Sequence, residues 1–164
     1  MPTSSVNQGR NRQKAEILLD TIKTTMVGSL DMTPKDLGDK WVYAEVSVNT
    51  SADLLSTSND FLGTGVALTT SDTYEWVAIK NTSTTATDGI CICLAGETAA
   101  WNLANGIFLG AGEMICLKIP HVTVANLHAA SITMNAAYGH PASANSDAVT
   151  VQVAAIIDDA SYTP

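Results

Sequence analysis

The chain has 164 residues, with eight Lys/Arg against sixteen Asp/Glu and a formal net charge of −8 at pH 7. Its length suits one domain with at most an attached arm, and an apolar fraction of 46% is enough to bury a core. The acid excess argues against broad nucleic-acid binding, which needs clustered Lys/Arg, and no apolar run reaches the roughly 18–20 residues of a membrane-spanning helix.

Residues 1–10 lack a basic segment followed by an apolar core, so no secretory signal is expected, and a polar start of this kind orders only on binding. Residues 1–40 hold six of the eight Lys/Arg and five acids, a net of +1, whereas residues 41–164 net −9. The chain therefore reads as an N-terminal arm over 1–40 and an acidic body over 41–164. In the arm, Ala15, Leu18, Leu19, Ile22 and Met26 recur at helical spacing and predict an amphipathic helix, with Asn11 and Gly28 as caps. Thr21, Thr24 and Thr25 weigh against it, because β-branched residues lose side-chain freedom in helices. Thr33-Pro34-Lys35-Asp36-Leu37-Gly38 predicts one short helical turn, with Pro at its first position and Gly past its end.

From Lys40 the period changes to two. Val42, Ala44, Val46 and Val48 alternate with Tyr43, Glu45 and Ser47, the pattern of a half-buried strand. Further strands are predicted at 65–69, 74–80, 90–94, 107–109, 113–119, 129–135 and 149–157. Turn clusters separate them at 49–51, 81–89, 105–106, 110–112 and 139–147. Strands this short and this regularly interrupted leave no room for helical crossovers. The predicted fold class is mainly β, an antiparallel sandwich or jelly roll with an N-terminal arm carrying a short helix.

Candidate chemistry starts from His121, His128 and His140 and from three cysteines. No nucleophile elbow, His-Glu-x-x-His or phosphate-binding loop is present. Cys91 and Cys93 share a strand face without the two-residue knuckle of structural zinc sites, so buried thiols filling an apolar strand are the expectation. No catalytic residue, metal ligand or cofactor is assigned, and the chain is read as a non-enzyme. Trp41, Trp76 and Trp101 are candidate oligomer or surface contacts, and alternatively sugar platforms. The strand 74–80 puts Trp76, Ala78 and Lys80 on one face and Glu75, Val77 and Ile79 on the other, and its sequence leaves open which is the core. Arg10, Arg12 and Lys14, at spacing two, precede the apolar positions Leu18, Ile22 and Met26. Together these six mark the arm either as an anchor for a partner surface or as a solvated tail or helix packed on its own body.

From residue 74 to the C-terminus the chain resembles a module of tailed-bacteriophage structural proteins. The resemblance rests on Trp76-Val77-Ala78-Ile79-Lys80-Asn81-Thr82, Ile92-Cys93-Leu94-Ala95-Gly96, and Asn105-Gly106-Ile107-Phe108-Leu109-Gly110-Ala111-Gly112-Glu113. Asn126-Leu127-His128-Ala129 and the closing Val149-Thr150-Val151-Gln152-Val153 complete it. The pattern is similar to the β-sandwich modules of capsid decoration, or cement, proteins. It implies a small oligomer, trimer favoured and dimer possible, made in the host cytoplasm and bound to the major capsid protein on the virion surface. It implies no nucleic-acid or membrane partner. The runner-up is a receptor- or carbohydrate-binding β-module of a fibre or tail tip, and a small hydrolase ranks third.

Overall fold

The computed structural model describes residues 9–19, 22–94 and 106–162, with side chains described from Met32 onward, again excepting 95–105. The chain divides into two compact units, Met1–Asp36 and Leu37–Pro164. The first unit holds β1 (Gly9–Leu19) and β2 (Ile22–Met32). They pair antiparallel in unbroken register from Gly9↔Met32 to Leu19↔Ile22.

This hairpin replaces the predicted arm helix. The apolar residues fit a helical stripe, yet Ile17, Ile22, Thr24, Thr25 and Val27 are β-branched, and such residues favour the pleated ladder. Thr33–Gly38 is bent but not helical. Six residues pinned between two strands gain too little from one turn to offset helix nucleation.

The second unit is a sandwich. Its strands are β3 (Asp39–Val48), β4 (Ala52–Asp53), β5 (Thr73–Asn81), β6 (Asp88–Cys93), β7 (Ile107–Leu109), β8 (Met114–Lys118), β9 (His128–Asn135), β10 (His140–Ala144) and β11 (Val149–Asp158). One sheet runs β3-β11-β5-β8, and the other β10-β9-β6-β7 with β4 also on β9. With β10 set aside, the remaining strands in chain order give first-eighth-third-sixth in one sheet and second-seventh-fourth-fifth in the other. That is the strand order of a jelly roll. The predicted strands at 74–80, 90–94, 107–109, 113–119, 129–135 and 149–157 are all present within one or two residues. The 65–69 stretch instead forms only an isolated bridge, Asp60↔Ala67, beside Gly63 and Gly65 at positive φ. Strand β10 lies where a turn cluster was expected. It is an edge strand containing Pro141 and a register shift between Pro141 and Ser143, a position where proline costs no ladder bond.

A single core joins the sheets. Val42, Val48, Val77, Ile79, Val151 and Val153 from one pack with Ile90, Ile92, Leu109 and Ala129 from the other. Strand β5 shows why its sequence left the core face open. Ile156 pairs with Trp76 but Ile157 with Tyr74, so Glu75 is bulged out of register. The bulge turns Tyr74 into the core beside Val77 and Ile79, a shift that strict alternation forbids.

Candidate binding surface

The histidines and the buried cysteines lie on β6, β9, β10 and the connection between β8 and β9. His128 on β9 lies between Asp53 and Cys93 in the strand register, and its Nδ1 is 2.8 Å from Asp53 Oδ1. His140 stacks on Tyr138, ring centroids 5.8 Å apart, and His121 is exposed. Cys91 and Cys93 are buried on the side of β6 away from the main core. Cys91 packs with Ile132, Met134 and Phe108, and Cys93 with Ala130. Among the described residues no three His, Cys, Asp or Glu side chains are grouped to hold a metal.

The buried carboxylates tie chain segments together. Asp72 accepts from the Thr69 amide and hydroxyl at 2.8 and 2.7 Å and from the Ala160 amide at 3.0 Å. Asp159 meets Lys40 Nζ at 2.6 Å and accepts from the Ser161 hydroxyl at 2.6 Å. These donors, Lys40 first, hold its carboxyl down at about 2. Lys40 also lies 4.8 Å from the Phe61 ring centroid, so this ammonium is engaged twice. The Tyr74 hydroxyl is fully buried and has no hydrogen-bond partner. Burial, aided by the Asp53 charge, pushes its pKa far above the ordinary phenol range.

The outer face of β3-β11-β5-β8 carries Trp41 and Trp76. Trp41, Ile156, Trp76 and Lys118 form one row across the four strands. Ile156 is fully buried and Trp76 is 8% exposed, with Lys118 Nζ 5.3 Å from its ring centroid. Trp76 is thus packed and not open. Trp101 lies outside the described residues. Along the β3 side, Tyr43, Leu62 and Val66 are each about half exposed, and the Leu62 amide bonds the Trp41 carbonyl at 2.8 Å. Glu45 and Asp60 are exposed on the same side. Glu45 accepts from Gln152 at 2.9 Å and from the Tyr43 hydroxyl at 3.3 Å, and neither acid has a described cationic partner.

The hairpin regroups the predicted anchor residues. Arg10, Arg12, Lys14 and Leu18 lie on β1, with Asp31 opposite Arg10 and Lys23 opposite Leu18. Ile22 and Met26 lie on β2, opposite Leu19 and Ala15. The predicted helical stripe of Leu18, Ile22 and Met26 is therefore split between two strands. Sequence reasoning missed the β5 bulge and the ties through Asp72 and Asp159, since all three depend on contacts between distant segments.

A scan of protein-family models finds no match, and neither the curated proteins nor the solved structures contain a significant relative of this chain.

Proposed function

We propose that the chain is a non-enzymatic virion protein that decorates the outside of a tailed-phage capsid and bridges its subunits. One observation carries this reading: a separate two-stranded hairpin of net charge +1 (five Lys/Arg, four Asp/Glu over residues 1–36) precedes a body of net charge −9. A two-stranded ribbon on its own is marginal in water and gains stability by docking on a partner. In this reading the hairpin is the element that holds the capsid. A standard contact of roughly 1,600 Å² gives specific binding, and repetition over a lattice multiplies it. The decisive test is deletion of residues 1–30. The truncated protein should remain folded yet no longer co-sediment with capsids; decoration at full occupancy would refute the assignment.

The jelly-roll order supports a second reading, since the same architecture serves lectins as well as capsid proteins. A glycan-binding module predicts saturable sugar binding lost in Trp41→Ala with the fold intact. The packed state of Trp76 disfavours it.

A further inference from the structure

We infer that the open edge of β3, from Tyr43 to Ser47, takes an added strand: an extended segment of another protein with Lys or Arg at alternate positions. The inference concerns the body alone and goes beyond the decoration reading, on which it does not depend.

The open edge follows from the ladder. Strand β3 ends the four-stranded sheet, with β11 as its one neighbour there. The Trp41 carbonyl turns away from β11 and accepts from the Leu62 amide at 2.8 Å. Backbone groups of alternate strand residues point the same way, so those of Tyr43, Glu45 and Ser47 also point outward. The other strand agrees: Thr150, opposite Ser47, turns its carbonyl away from β3 to accept from the Thr82 amide at 3.0 Å. Among the described residues nothing pairs with Tyr43, Glu45 or Ser47 on this side, and all three are exposed. Leu62 closes the stretch at one end, and at the other the Asn49 carbonyl is taken by the Ser131 amide. Three donors and three acceptors thus remain along about 14 Å, the template that strand addition uses.

The edges of the other sheet are blunted. Strand β10 contains Pro141 and a register shift, and β7 has three residues. Strand β3 has ten residues without Pro or Gly, in unbroken register. Its one protective device is a charge, Glu45.

That charge selects the occupant. Glu45 accepts from Gln152 and from Tyr43, both neutral, and the cation of its row, Lys80, lies two strands away, roughly 10 Å. A cationic strand therefore gains from Glu45 and from a body of net charge −9. Two β3 edges paired with each other bring two Glu45 carboxylates close together, which disfavours a second copy. On the core side Val46 is only partly buried, so apolar residues between the cations of the added strand cover it.

The test titrates the full chain with the labelled peptide Val-Lys-Val-Lys-Val-Lys-Val, read by fluorescence anisotropy at about 0.05 M salt. Saturable binding is expected, with amide exchange at Tyr43, Glu45 and Ser47 slowed roughly tenfold or more. Glu45→Lys should weaken binding roughly fivefold or more and improve binding of the Val-Glu counterpart. Ser47→Pro should abolish binding with the fold intact, because the lost N–H points out of the sheet. Equal binding of Gly-Lys-Gly-Lys-Gly-Lys-Gly, which has charge without strand propensity, overturns the inference. So does protection confined to other amides, or unchanged affinity in Glu45→Lys, which keeps the test decisive if Ser47→Pro does not fold. Protection of the same amides that grows with protein concentration alone makes a second copy the occupant and also overturns it. Capsid co-sedimentation plays no part in these readouts, so failure here is distinguishable from failure of the decoration reading.

Discussion

The hairpin β1–β2 and the pair β3–β11 are the same kind of object in opposite circumstances. Each is an antiparallel ladder of ten or eleven residue pairs without a break in register. The β3–β11 ladder buries Val42, Ala44, Val48, Val151, Val153 and Ala155 in the common core. The hairpin belongs to a separate unit. The comparison teaches that ladder hydrogen bonds alone do not distinguish a stable element from a docking one. What distinguishes them is whether the apolar face is covered by the same chain or left for a partner.

The sharpest way to break this comparison is to remove one side of it. Deleting residues 1–36 should eliminate capsid co-sedimentation while leaving the near-UV circular dichroism and cooperative unfolding of the body intact. Collapse of the body on deletion would show that the hairpin is part of its core. Next in size, Ile79→Ala, at a fully buried core position, should cost about 2–5 kcal/mol in denaturant unfolding. Ile17→Ala in the hairpin should leave that midpoint nearly unchanged.

Gly89→Ala tests the second buried layer of the sandwich. An added Cβ lies 2.5 Å from Met134 Cγ and 3.0 Å from Ile132 Cγ1, so the substitution should cost about 1–3 kcal/mol. The cost should shrink in a Met134→Ala background, a coupling that a double-mutant cycle measures.

Asp159 gives a pH signature confined to the body. Its carboxyl is lowered from 3.8 to about 2, so the charged form is favoured on folding. The resulting stability is fully present above about pH 4 and is lost as pH falls toward 2. The expected size is about 1–2 kcal/mol, and Asp159→Asn should abolish that part of the pH dependence in acid unfolding. The smallest effect belongs to Tyr74→Phe. Removing a buried hydroxyl with no partner should be neutral or stabilising by up to about 1 kcal/mol, and clear destabilisation would mean that the hydroxyl is bonded.

Much of the sandwich was legible because alternation survives wherever one face is covered. Val42, Ala44 and Val48 announce β3, and the Val-rich run from Val149 announces β11. What stayed hidden was non-local. The Glu75 bulge follows from the pairing of β5 with β11, and β10 follows from the free edge of β9. The hairpin was misread as a helix because Ala15, Leu19, Ile22 and Met26 satisfy both periods, and only pairing with a second strand separates them. At the candidate surface, the sequence marked Trp41 and Trp76 one by one, with no sign that they are neighbours of each other. Their common row depends on β11 lying between their strands.

The central claim is that the chain is a many-copy lattice protein held by its hairpin. Cryo-electron microscopy of particles carrying it tests that claim most directly. The account predicts hundreds of copies at symmetry-related positions on the head, each with its hairpin against the capsid. A handful of copies at a tail tip, or a head contact made by the sandwich with the hairpin touching nothing, would contradict it.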